Sequence, residues 1–180
     1  MKKTVIRFGL NTKDIDRAIR EVRKFKENFL SKVDTYRKKL AEELAEQASI
    51  AFGNSIVDDV VHGGSPRRAN VDVNVFDDGT ISVVVASGED AVWCEFGSGV
   101  FHNGGTGSSP NPYGGELGFT IGSYGKGHGK YQAWGYYTDP DSKTGLVITR
   151  GTPATMPMYN AAQEVLRRAV DIAREVWGND

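Results

Sequence analysis

Residues 71–86 read Val-Asp-Val-Asn-Val-Phe-Asp-Asp-Gly-Thr-Ile-Ser-Val-Val-Val-Ala. Val71, Val73 and Val75 alternate with Asp72, Asn74 and Phe76, the period-two pattern of a strand whose faces meet different surroundings. Asp77-Asp78-Gly79-Thr80 supplies a turn, with Gly79 where a positive φ is needed, and Ile81, Val83 and Val85 form the return strand. A lone hairpin is at best marginal in water. The elements on either side must therefore cover one of its faces.

Upstream, Ile15, Ile19, Val22, Phe29, Val33, Tyr36, Leu40, Leu44, Ala48 and Phe52 recur mostly in steps of three and four, which is helical spacing. No Pro or Gly interrupts the pattern from Lys13 to Phe52. Thr12 or Asp14 is placed to cap this helix, Asp14 and Asp16 suit its N-terminal dipole, and Gly53-Asn54 ends it. One unbroken helix over 13–52 would be roughly 55–60 Å long, too long for one face of a small domain. Its first half then projects or meets a neighbouring subunit. A break near Asn28–Ser31, giving a helical hairpin, is the alternative. Residues 1–10, with Val5, Ile6, Phe8 and Leu10, read as a short strand, and residues 62–70 as a turn-rich linker.

Downstream, Tyr136-Tyr137-Thr138, Asp139-Pro140-Asp141 and Leu146-Val147-Ile148-Thr149 read as a second hairpin with a polar turn. Pro153 and Pro157 precede a final helix, residues 157–177, whose stripe is Tyr159, Ala162, Val165, Leu166, Ala169, Val170, Ala173 and Val176. The expectation is one α+β domain over residues 1–180. A long N-terminal helix and a C-terminal helix cover a small antiparallel sheet of about four strands built from two hairpins.

Between the hairpins, residues 98–135 change character. Glycine is dense, aromatics are interspersed, and no periodicity is visible; a loop this long inside a compact domain is usually functional or disordered. Phe101, Tyr113, Tyr124 and Trp134 are its candidate interface residues, because glycine lets the backbone adapt while aromatic rings supply anchor area. Gly125-Lys126-Gly127-His128-Gly129-Lys130 lacks the spacing of a phosphate-binding loop. With Tyr124, Tyr131 and Trp134 beside it, it leaves weak single-strand nucleic-acid contact open.

Composition bounds the function. With 39% apolar and 25% charged residues among 180, the chain is an ordinary folding protein and not a disordered one. Its longest apolar runs are far short of a membrane span, and Met1-Lys2-Lys3 opens no secretory signal. Cys94, the single cysteine, excludes an internal disulfide framework and a Cys-rich zinc site. Residues 1–50 carry 13 Lys and Arg against 8 Asp and Glu, while residues 51–180 carry 9 against 15. A basic third on an acidic body suits head-to-tail packing of identical subunits or a weak polyanion contact; a solvated helix face is the plainer alternative.

Candidate chemistry is sparse. His62, His102 and His128 lie in Gly-rich segments without a partner at ligand spacing, so neither a metal nor another cofactor is expected. Cys94, between Val92-Trp93 and Phe96, reads as a buried thiol that labels slowly. Glu95 is a carboxylate inside an apolar run, followed by Phe96-Gly97-Ser98. As a catalytic acid it would need a second group, such as His102 or His128, within reach. As a structural group it would accept backbone N–H bonds from the glycine turn and fix the loop, and Glu95→Ala would then cause instability or misassembly.

The segments Ala91-Val-Trp-Cys-Glu95-Phe-Gly97-Ser98, Trp134-Gly-Tyr136 and Thr149-Arg150-Gly151-Thr-Pro153-Ala154-Thr-Met-Pro157-Met158-Tyr159-Asn160-Ala161, in that order, resemble the neck and tail-completion family of long-tailed phages. Its members are often called tail-component or minor structural proteins and are common in prophages. The resemblance covers most of residues 30–177. Ser98 stands where the family usually has Thr, and the insertion is longer than the family pattern. The resemblance implies a non-enzymatic virion subunit of the head–tail junction or tail, assembled in the bacterial host cytoplasm. Its implied partners are other copies in a ring, connector and tail proteins, and non-specific contact with DNA in transit, with no membrane. Glu95, Phe96 and Gly97 become the loop anchor, and Gly151, Pro153, Pro157 and Met158 the residues that orient the last helix. The alternatives are a nucleic-acid-binding module using the basic N-terminal helix, or a hydrolase using Glu95 with a loop histidine.

Overall fold

The computed structural model describes residues 9, 11–59, 65–97, 109–117, 134–139, 141–149 and 152–178. The short strand expected within residues 1–10 lies outside them.

Helix α1 (Thr12–Asn54) is continuous, with no break at Asn28–Ser31, and at 43 residues is about 65 Å long. Its N-cap is Asn11 and not Thr12 or Asp14: the Asn11 side chain accepts the Asp14 N–H at 2.9 Å, three residues on, where a short side-chain oxygen reaches a free first-turn donor. Strands β1 (Ile56–Asp59) and β2 (Ser65–Arg68) pair antiparallel. The stretch read as a linker thus contributes a strand, with Pro66 in a ladder that has two strands among the described residues, an edge position that proline tolerates. Strands β3 (Asp72–Asp77) and β4 (Ser82–Ser87) form the expected hairpin, followed by a six-residue helix, α2 (Ala91–Phe96). Strands β5 (Trp134–Asp139) and β6 (Thr144–Thr149) form the second expected hairpin, and α3 (Pro157–Gly178) closes the chain. The architecture is α+β, as the periodicities indicate. Among the described residues the strands form three separate two-stranded ladders instead of one four-stranded sheet.

The β3–β4 turn is built by two aspartates. Asp77 accepts the Gly79 N–H at 2.7 Å, and Asp78 accepts the N–H groups of Thr80 and Ile81, each at 2.7 Å. Gly79 takes φ +88°, which favours glycine. The turn sets the register Val73↔Ala86 and Val75↔Val84, so these four residues share one face. Ile81, Val83 and Val85 belong to the other, more exposed face.

The inner face packs on the second half of α1. Ala48, Phe52, Val57, Cys94 and Ala161 form the core, flanked by Leu44, Ala69, Val71, Val73, Ala86 and Met158. Arg37 fastens α1 to the hairpin turn, donating to the Asp77 carboxylate and to Ser82 Oγ. The Arg37 guanidinium, helped by Ser82 and the Gly79 N–H, holds the Asp77 carboxyl well below the usual carboxylate range.

Helix α3 runs along α1 as well as reaching the hairpin core. Tyr36 Oη donates to the Ala169 carbonyl at 3.1 Å, Lys39 pairs with Glu175 at 3.1 Å, and Arg168 pairs with Glu43. Trp177 stacks edge-on to Tyr36 at 5.3 Å and contacts Phe29 at 6.5 Å. The buried line of α3 is Pro157, Ala161, Val165 and Ile172, which turns Leu166 and Val170 outward.

Phe52→Ala removes a fully buried ring and is expected to cost about 3–5 kcal/mol in denaturant unfolding, whereas Val22→Ala, on the exposed half of α1, should change stability by under about 0.5 kcal/mol. The Asp77 contribution is fully present above the ordinary Asp pKa near ~3.9 and is lost as pH falls through the lower folded value. Acid titration of Arg37→Ala should therefore show a shallower loss of stability below that pH than the parent chain.

Candidate functional site

Two sequence segments that looked independent, Glu95-Phe96-Gly97 and the approach to the last helix, meet at the start of α3. The Met156 carbonyl accepts the Asn160 N–H at 2.9 Å, which makes Met156 the N-cap residue. A methionine side chain cannot cap. Pro157, at the first helical position, has no N–H to satisfy. The next two donors are satisfied from α2: Met158 N–H donates to Glu95 Oε2 at 2.8 Å and Tyr159 N–H to Oε1 at 3.0 Å. Asn111 Nδ2 adds a third bond to Oε1 at 2.8 Å. The helix dipole favours a carboxylate at this place. Glu95 is buried, and burial pushes its carboxyl up from the ordinary value while the three donors pull it down. The described donors to Glu95 are those of α3 and Asn111, where free N–H groups converge at a helix start; of the glycine turn, the Gly97 N–H goes to Trp93 and residues 98–99 lie outside the described residues.

The backbone of α2 adds to this junction. The Cys94 carbonyl accepts the N–H groups of Thr155 at 2.8 Å and Met156 at 3.1 Å. Thr155 Oγ1 also lies 2.8 Å from Ser55 Oγ, just past the end of α1. Three helix termini are thereby joined. Gly97 closes α2, its N–H on the Trp93 carbonyl at 2.8 Å, with φ +79° and ψ 164°. That conformation is essentially restricted to glycine. Cys94 is fully buried, and desolvation pushes its thiol up to about 11.

Asp90, which the sequence offers only as a carboxylate near Glu95, fixes the other end of α2. The buried Asp90 accepts two bonds from Arg67, at 2.6 and 3.1 Å, and the Asn70 N–H at 2.7 Å, tying α2 to β2. A buried carboxylate directly after a turn was its only trace in the sequence. Asn111 was equally hidden: it sits in the Gly-rich stretch, and its Oδ1 accepts the Tyr113 N–H at 2.9 Å.

Above the junction lies an open groove of about 610 Å³ between β4, α2, the 109–117 turn and α3. Val85, Val92, Tyr113, Leu117 and Leu166 line it and are exposed, Leu166 by 66%. Of the expected interface aromatics, Tyr113 is on this groove, its ring 6.3 Å from that of Tyr159. Trp134 begins β5. Phe101 and Tyr124 lie outside the described residues, as do Gly151, His62, His102, His128 and the segment 125–130. Phe96 is half-buried and also lines the groove, Pro153 is exposed, and Pro157 is fully buried. Among the described residues no group of His, Cys, Asp and Glu is arranged to hold a metal ion, and no helix is long and apolar enough to cross a membrane.

The second notable surface is the first half of α1. Ile15, Ile19, Val22, Phe25, Phe29 and Leu30 are all exposed, Val22 by 53%. Asp14–Arg17 is an ion pair within this half.

Comparison with family models, curated proteins and solved structures found no match.

Glu95→Gln keeps the shape but must turn an NH2 toward either Met158 N–H or the Tyr159 and Asn111 donors; the expected loss is about 1–3 kcal/mol in chemical denaturation. The native Cys94 thiol stays protonated well above the ordinary thiol range, so stability tied to it is present below that range and lost only as pH rises toward 11. At pH 8 iodoacetamide should therefore label Cys94 only at the rate at which the protein unfolds, and labelling as fast as a free thiol would contradict the burial.

Proposed function

We propose that this chain is a non-enzymatic structural subunit of a long-tailed phage or prophage virion, acting at the head–tail junction or in the tail by oligomeric assembly around the DNA passage. The observation that carries the reading is the α1 arm. Residues 12–30 of α1 leave the body as a helix whose apolar stripe is bare, with Ile15, Ile19, Val22 and Phe25 all exposed. Exposing such a stripe on a free helix is unfavourable, and contiguous apolar patches on proteins mark interaction sites. A subunit meant to work alone has no use for an arm that adds solvent-facing apolar area without adding core.

Glu95 supports the same reading. Its carboxylate is committed to three donors that hold α3 in place, so it acts as a joint. Two of the three segments that resemble the phage family, residues 91–98 and 149–161, are joined by this carboxylate, which gives their combination a structural purpose.

Native mass spectrometry of the purified chain, with negative-stain images of the same sample, tests the proposal. A closed ring of several copies is expected. A strict monomer at high concentration would contradict it.

A further inference from the structure

We propose that the α1 arm of one copy seats in the groove between β4, α2 and α3 of a second copy, so that subunits join head to tail. The inference rests on the assembly reading above and adds the two surfaces that meet.

Continuity argues that a helix-like partner is missing from the arm. Along its second half the α1 stripe is covered by α3, and the last ring contact is Trp177 on Phe29. Helix α3 ends one residue later, at Gly178. The stripe does not end there. It continues at the same spacing through Phe25, Val22, Ile19 and Ile15, all of them exposed, and among the described residues no other element covers it.

The groove matches the arm in size and chemistry. Ile15, Ala18, Ile19 and Val22 span eight residues, about 10 Å of helix. On the groove side of α3, Met158 to Leu166 span nine residues, about 12 Å. The groove walls are aliphatic and aromatic apart from Asn111 and Gln163, and the buried Glu95 carboxylate and Asn111 already have their partners, so an apolar face can enter over them without orphaning either.

Charge selects between the two ways a second copy could cover the arm. Residues 12–30 carry six Lys and Arg against four Asp and Glu. Arm against arm would set two positive helices together. Against the groove, the arm meets the exposed Glu89 just before α2 and Glu116 beside the lining residue Leu117, while Arg167 and Arg168 next to Leu166 are already paired with Glu164 and Glu43. The contact is heterologous, joining different patches on the two copies, and such contacts close into rings when the rotation permits.

Cysteine pairing in the full chain tests this directly, with Ile19→Cys, Leu166→Cys and the double variant under mild oxidation. The buried Cys94 does not compete. A bridge within one copy is excluded: Arg168, two residues from Leu166, pairs with Glu43, which stands 24 residues along α1 from Ile19, or about 36 Å. The expected result is a ladder of covalent multimers from the double variant, dimers from an equimolar mixture of the two single variants, and monomers from each single variant alone. Covalent dimers of Ile19→Cys alone would overturn the inference in favour of arm–arm pairing. An oligomer by native mass that does not cross-link would overturn the docking while leaving the assembly reading standing. A chain that stays monomeric by native mass and forms no cross-link would overturn both. Ile19→Glu provides a second readout: association should weaken at least about tenfold with the thermal unfolding of the monomer unchanged, and unchanged association would also overturn the inference.

Discussion

The Glu95 carboxylate, received by the first free N–H groups of α3, is the contact on which the arrangement depends. Helices leave donors unsatisfied at their starts, and in α3 the residue at the cap position, Met156, has no acceptor to offer. A carboxylate brought in from α2 solves this from outside the helix, and the bonds at 2.8 and 3.0 Å fix both the position and the direction of α3. Because α3 in turn lies along α1, this side chain fixes where α3 begins, and the Tyr36–Ala169 bond, the Lys39–Glu175 and Arg168–Glu43 pairs and the Trp177 ring contacts hold the rest of it on α1. The adjacent Cys94 carbonyl and the Ser55–Thr155 pair hold the same point from the backbone side and from the end of α1.

The groove and the bare arm follow from that placement. With Ala161, Val165 and Ile172 turned onto α1, Leu166 and Val170 must face outward, beside β4 and the turn that Asn111 anchors. With α3 only 22 residues long against 43 in α1, the stripe on α1 outruns its cover. Body and arm thus present two apolar surfaces that one copy cannot bring together, while the charge division along the chain makes them complementary.

Much of the fold was legible in the sequence because its signals are local. The unbroken three-and-four spacing marked α1 and α3, and the Asp77-Asp78-Gly79 turn between valine-rich runs marked the hairpin. Glu95 also stood out, since a carboxylate inside an apolar run needs partners. What those partners are was not legible: they are backbone N–H groups 63 and 64 residues later, and a backbone donor leaves no mark in residue identity. The β1–β2 ladder was hidden by Gly63, Gly64 and Pro66, which read as turn although a free-edged strand accepts proline. The outward face of Val83 and Val85 follows from register, and register is decided by how the turn closes, not by which residues are apolar. Asp90 and Asn111 act only through contacts distant in sequence.

The most direct test of this account is amide hydrogen exchange at Met158 and Tyr159, compared between the parent chain and Glu95→Gln under conditions where both remain folded. If the carboxylate holds the start of α3, both amides are protected in the parent and the one left facing the Gln NH2 exchanges markedly faster in the variant, while the amides around Ala48 and Phe52 keep their protection. Equal protection of Met158 and Tyr159 in the two proteins would contradict the account, because something other than Glu95 would then be holding the helix in place.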